Sequence, residues 1–307
     1  MTVMLDSALP TFTTTVPREY VHRAAVSEVL LTGWRAADEP HAFVVSCQWP
    51  RGHALFAQSG GYQDPMLLVE SVRQAGVLLA HAEFGVEFGN QFLMGAMHFV
   101  ATPPLFLATP VPTEVELHVV CRDIVRRGKS LAGIRYEVTA QIGGVALANA
   151  VGAMNCIRPN VYKRLRGERS TRCDRLPGAP IDPARVGRTD PQHVVLSEHP
   201  GGTGNQWELR VDCTHPIFFD HPVDHVPGMV LLEAVRQAAH AVTGMTDGLI
   251  VGLDSSFERY AELDEVCVVE AEPTGVDAAG DVEVRVRGLQ SRGPVFEAAV
   301  TLRPRGH

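Results

Sequence analysis

The chain lacks the short patterns that mark many catalytic and cofactor sites. It has no Walker loop, no GxGxxG, no HExxH and no GxSxG, so nucleotide, nicotinamide, zincin and serine-hydrolase chemistry have no foothold in it. Long apolar runs are missing too, and none approaches the roughly 18 residues that a membrane-spanning helix needs. Positive charge is in deficit, with 27 Lys and Arg against 35 Asp and Glu and a net charge of −8. That excludes the basic footprint of non-specific nucleic-acid binding. The stretch MTVMLDSALPTFTTTV shows no basic segment followed by an apolar core, so no secretory leader is read there. Cysteine is sparse, six residues without a CxxC pair, and all six are expected to be reduced thiols of a cytoplasmic protein. Cys47, Cys121 and Cys267 read as small hydrophobes on strands.

What is present is a repeat. Residues 64–76 read DPMLLVESVRQAG and residues 227–239 read PGMVLLEAVRQAA. Met66, Glu70, Arg73 and Gln74 recur as Met229, Glu233, Arg236 and Gln237. Packing alone would repeat the apolar positions of a buried helix, but it gives no reason to repeat Glu, Arg and Gln at the same offsets. Val69, Val72, Gly76 and Leu79 form one helical stripe, with Glu70, Arg73, Gln74 and Val77 on the next. Gly76 and Ala239 are small, as close contact with a sheet requires.

The surroundings of the two helices also match. Short apolar runs with Val precede each one, Val29-Leu30-Leu31 and then FVVSCQW at 43–49, Val194-Val195-Leu196 and then QWELRVD at 206–212. His and Phe follow in HALF and HPIFFDH. Strand-like runs come after each helix, and VEVRVRG and VFEAAVTL alternate with a two-residue period. Each half therefore reads as α+β, one long helix covered by an antiparallel sheet. The expected domains are 1–157 and 194–307, joined by a basic, Pro-containing linker at 158–193. GGTG at 201–204 reads as a hairpin loop. The linker is either a solvated connection or, through Lys163, Arg164 and Arg166, a contact for an anionic ligand or an acidic partner surface.

Chemistry-bearing residues concentrate in HPIFFDHPVDHVPGMVLLEAVRQ at 215–237. Pro222 and Pro227 prevent a helix from starting before Gly228. Free N–H groups at such a start can hold a carbonyl oxygen that develops negative charge. Asp220, His221, Asp224 and His225 match no standard metal-ligand spacing, so no metal is expected.

An aromatic pair, a His, a Pro-Gly helix start and a Glu five residues after the Gly resemble the signature of hotdog-fold enzymes of acyl thioesters. The segment 215–239, in a duplicated chain of this length, resembles the A-factor synthase (AfsA-like) family of γ-butyrolactone autoregulator biosynthesis. The resemblance spans both halves and implies a tandem double hotdog whose halves pair as a pseudo-dimer. It implies an acyltransferase that moves a β-ketoacyl group from acyl carrier protein to the hydroxyl of a three-carbon phosphate such as dihydroxyacetone phosphate, with no cofactor and no membrane insertion. It carries over Glu233, Arg236, Glu70 and Arg73 as catalytic, with His221 as the nearest equivalent of the dehydratase histidine and His225 as its rival. The loop from His221 to Pro227-Gly228 is two residues shorter than in the dehydratases, which weighs against simple dehydratase chemistry.

Transfer from an activated thioester to an alcohol needs a base, an oxyanion donor and exclusion of water. Glu and Arg at i, i+3 share a helix face; Glu can orient or deprotonate the hydroxyl, and Arg offers a fork suited to phosphate. Gly228 and Met229 are expected at the thioester carbonyl, with His225, Gln237 and Gln74 as further substrate contacts. Taken alone, Glu-x-x-Arg is an exposed ion pair worth about 0.2–0.5 kcal/mol; its recurrence between apolar residues argues for a cleft. If the halves pair side by side, His221 faces Glu70 and Arg73. The first half has AQSGGYQDP at 57–65 where the second has DHPVDHVPG, so the two clefts are not equivalent. A dehydratase or thioesterase on the same fold, and a silent acyl- or lactone-binding protein, are the competing readings.

Overall fold

The computed structural model describes residues 11–305 apart from positions 168, 170, 172 and 174. The first ten residues, part of the stretch read above for a leader, lie outside it. Twelve strands form one antiparallel sheet: β1 (Leu31–Ala36), β2 (Ala42–Trp49), β3 (Gln91–Ala101), β4 (Thr113–Arg127), β5 (Ser130–Ile142), β6 (Val145–Ile157), β7 (Leu196–Glu198), β8 (Gln206–Leu209), β9 (Leu249–Phe257), β10 (Val268–Val276), β11 (Val282–Gln290) and β12 (Gly293–Arg303). Among the described residues three α-helices accompany it: α1 (Met66–Ala82), α2 (Pro159–Arg166) and α3 (Gly228–Thr243).

The strand order is β1-β2-β4-β5-β6-β3-β9-β12-β11-β10-β8-β7. Read outward from the centre, both halves have the same order, and β3 pairs with β9 at the seam from Ala96↔Ser256 to Val100↔Gly252. Ser255 adds a side-chain bond to the Met97 carbonyl at 2.8 Å. The sheet is therefore continuous across the two repeats, and each half is a long helix against its own six strands, the α+β plan expected. The hairpin at GGTG is there between β7 and β8.

The helix stripes explain the packing. Val69, Val72, Leu79, Ala234, Val235 and Ala238 are buried in the common core. Gly76 is required by closeness: a Cβ there would lie 2.4 Å from the Tyr136 hydroxyl, which donates to the Val72 carbonyl at 3.2 Å. Its counterpart Ala239 is fully buried. α3 stops at Gly244, whose left-handed backbone (φ 69°) lets its N–H bond the His240 carbonyl.

Two expectations change. Cys173 and Cys213 are joined as a disulfide with Cα atoms 6.1 Å apart, so four thiols remain, all buried. The pairing spans 40 residues and brings together segments that no sequence spacing relates. The linker, in turn, is partly built in. Arg166 is buried and bonds the carboxylates of Asp224 and Glu262, so it is already neutralised rather than open to an anion. No helix among the described residues is long and apolar enough to cross a membrane.

Candidate active site

Each central helix places its Glu, Arg and Gln in a buried network, and the two networks are built alike. Glu70 is 2% exposed. It accepts from Arg73 at 2.7 and 2.8 Å, from Gln74 at 2.7 Å and from Arg23 at 2.7 Å. Arg23 also donates to the Ile217 carbonyl in the other half at 3.0 Å. Glu233, with no exposed surface, accepts from Arg236 at 2.6 and 2.8 Å, from Gln237 and from Arg188 at 2.9 Å. Arg188 reaches across to the Leu55 carbonyl. The turns carrying those two carbonyls are each held by a histidine ring nitrogen, His53 under Leu55 and Phe56, His215 under Ile217 and Phe218.

Gln74 and Gln237 therefore do not sit where a substrate contact was expected. Both amides tie the chain that enters the first strands: Gln74 bonds Leu30 N–H and the Glu28 carbonyl, Gln237 bonds Val195 N–H and the His193 carbonyl. Arg23 and Arg188 complete the two networks from outside the repeated helices. Their signal is slight, a Val-x-Arg in Val21-His22-Arg23 and Val186-Gly187-Arg188.

The networks differ electrostatically. Burial pushes the Glu70 carboxyl up, but Arg23 and Arg73 together outweigh it and hold it at about 2. Burial raises Glu233 to about 7, with Arg188 opposing and the Asp64 carboxylate adding to the rise. A depressed carboxyl stabilises the fold above its unfolded value and loses that contribution as pH falls toward the folded one. Glu70 is thus expected to contribute on the order of 3 kcal/mol above pH 4.5, lost as pH falls toward 2. Urea melts of wild type and Glu70→Gln between pH 5 and 3 check this, and parallel slopes would refute it.

A cavity of about 400 Å³ opens between the two halves. Arg73 and Val77 of α1 form one side; Asp220, His221, His225, Pro227, Gly228 and Met229 form the other. The structure thus brings His221 to Arg73 and the Glu70 network, not to Glu233. Glu233, Arg236 and Gln237 do not line this cavity. Phe92, Met94, Met154 and Leu231 give it apolar walls, and Arg259 completes it.

Both loop histidines are paired with the preceding acid through Nδ1, His221 with Asp220 at 2.5 Å and His225 with Asp224 at 2.7 Å. That pairing leaves Nε2 as the open ring nitrogen of each. Asp224 is clamped from α2 by Tyr162 at 2.5 Å and Arg166 at 3.1 Å, and Arg166 lies over the Tyr260 ring at 4.1 Å. These contacts depress the Asp224 carboxyl against the upward push of burial. His22, also on the wall, is half-buried against His81; that burial, with the nearby His81 and Arg73 charges, lowers it to about 3 and keeps it neutral.

The helix starts differ as well. At α1, Asp64 accepts from Met66 N–H at 2.9 Å and from Arg236 at 3.0 Å. At α3, Pro227 carries no carboxylate. Among the described residues no side chain caps this helix, and the first backbone bonds begin at Val230 N–H. Gly228 and Met229 both line the cavity, and their N–H groups have no bonded acceptor among the described residues.

The model of the A-factor biosynthesis hotdog domain matches residues 5–158 and again 170–303. A "2-oxo-3-(phosphooxy)propyl 3-oxoalkanoate synthase" of Streptomyces virginiae is 49% identical over 295 residues, 95% of this chain and 98% of that protein. A protein of the same name from Streptomyces coelicolor is 36% identical over 95% of this chain and 91% of its own length. Among solved structures, the 12:0-ACP thioesterase of Umbellularia californica is similar with a TM-score of 0.54 and 12% identity, over 85% of this chain and 94% of that one. An acyl-ACP thioesterase of Bacteroides thetaiotaomicron gives 0.52 and 9%, over 85% and 98%. At such identities the structural likeness concerns the fold alone, a double hotdog.

Proposed function

The chain belongs to the A-factor biosynthesis hotdog family, and from that premise we propose that it transfers a β-ketoacyl group from acyl carrier protein to the hydroxyl of dihydroxyacetone phosphate. The product would be a 2-oxo-3-(phosphooxy)propyl 3-oxoalkanoate, a precursor of a butyrolactone-type signal. The observation that carries the reading is the cavity between α1 and α3, where free helix N–H groups, an arginine and two acid-paired histidines meet apolar walls.

The acyl chain lies along Phe92, Met94, Met154 and Leu231. Its thioester oxygen is received by Gly228 and Met229 N–H as charge builds on it. His225 is the base. Asp224 holds its proton-bearing Nδ1, so Nε2 is free to take the hydroxyl proton. Arg73 contacts the attacking oxygen, since Glu70 already neutralises part of its charge. Arg259 meets the phosphate; it is exposed at the cavity and has no carboxylate partner among the described residues. Glu70 and Glu233 hold the arginines in place rather than touch substrate, and the second network, with Arg236, serves mainly to brace the fold.

Mass spectrometry of products from β-ketoacyl carrier protein, with and without dihydroxyacetone phosphate, tests the proposal. A phosphorylated ester that forms only when the acceptor is present is expected. Free acid or an enoyl thioester formed regardless of acceptor would instead mark a thioesterase or dehydratase, and unchanged thioester a binding protein.

A further inference from the structure

The second network holds a ligand of its own making. Asp64 is buried and bridges two donors, Oδ1 on Met66 N–H at 2.9 Å and Oδ2 on Arg236 at 3.0 Å. Met66 and Arg236 correspond through the repeat to Met229 and Arg73. Asp64 itself corresponds to Pro227. The repeat therefore places the corresponding two donors, one on each helix, at the first cleft, with Pro227 where Asp64 stands; Asp220, the carboxylate that acts on Arg73 from the cavity wall, is taken up by Ala24 N–H and His221. Arg73, Pro227, Gly228 and Met229 all border the cavity there.

We propose that the first cleft binds the carboxylate of an external aliphatic acid between Met229 N–H and Arg73, in the pose that Asp64 takes between Met66 N–H and Arg236. The carboxylate charge suits both a helix N-terminus and a guanidinium. The alkyl chain continues along the apolar walls. A free acyl acid is thus a competitive inhibitor of whatever the cavity processes.

A deeper consequence rests on the transfer reading above. The two oxygens of a carboxylate are spaced like two oxygens of the tetrahedral carbon formed during transfer. One is the former carbonyl oxygen, on Met229 N–H; the other is the attacking oxygen, on Arg73. The acceptor's C–O bond forms as its proton passes to His225. The C–S bond then breaks, and the departing thiolate takes that proton, leaving ester and thiol.

Calorimetric titration of the full chain with octanoate, and with octanol as the uncharged counterpart, tests the site. Octanoate is expected to bind once per chain and octanol at least about tenfold more weakly. Pro227→Asp, which installs the internal carboxylate, is expected to weaken octanoate at least about tenfold, and Pro227→Asn, of the same shape without the charge, to weaken it less. Arg73→Gln is expected to weaken it similarly to Pro227→Asp, and decides the matter if the Asp variant does not fold. No octanoate binding at millimolar concentration, two equal sites, or equal binding by the Asp and Asn variants would overturn the proposal. Ester formation is a separate measurement: octanoate binding as described with no ester refutes only the transfer reading, and the converse refutes only the carboxylate site.

Discussion

Arg73→Ala is expected to lower kcat/KM for ester formation by about 10² to 10³, which is about 3–4 kcal/mol of transition-state stabilisation. Arg73 is the guanidinium shared by the Glu70 network and the cavity wall. Removing it takes a donor from the oxygen where charge develops. Glu70 keeps Arg23 at 2.7 Å and Gln74 at 2.7 Å, so its charge is not stranded and the fold is expected to stay intact. The effect therefore belongs to turnover and not to melting temperature. Steady-state kinetics with dihydroxyacetone phosphate, alongside a thermal melt, separates the two. Activity within threefold of wild type in a folded variant would remove Arg73 from the chemistry.

Glu233→Ala is expected to act in the opposite sense, on stability first. Arg188 and Arg236 both end on this carboxylate, at 2.9 and 2.6 Å, in a site closed to solvent. Deleting it leaves two buried guanidiniums with only Asp64 between them. Breaking a buried pair from one side costs about 3–5 kcal/mol. In a chain of this size that is a fall in melting temperature on the order of 10 °C. This differs from the catalytic role that the family resemblance implies for Glu233. Differential scanning calorimetry decides it: an unchanged melting temperature would show that the network contributes nothing net.

The repeat was readable because it preserved polar residues inside an apolar helix. Met66, Glu70, Arg73 and Gln74 kept their spacing in Met229, Glu233, Arg236 and Gln237, and that alone located both networks. The α+β plan followed from the strand periods, and the position of His221 across from Arg73 followed from supposing a side-by-side pair. What the glutamines do was not readable, because a buried Gln that bonds backbone looks the same in sequence as one that bonds a ligand. Arg23 and Arg188 come from irregular chain ahead of the first strands, where no period marks a residue as inward-facing. The offset between them is two residues longer than that between the helices, which hides the correspondence further. Tyr162 and Arg166 lay in a segment that reads as linker by its prolines and charge, and only the folded chain shows them gripping Asp224.

The seam between β3 and β9 has a consequence for how the two clefts came to differ. In a symmetric dimer of identical chains, any substitution ahead of the central helix appears in both sites at once. Here the partners are two stretches of one polypeptide, always present at high effective concentration and never exchanged for another copy. An aspartate could settle in one cleft while a proline held the corresponding place in the other. Covalent fusion thus frees each half from mirroring its twin, so that a substitution in one cleft leaves the corresponding place in its neighbour unaltered.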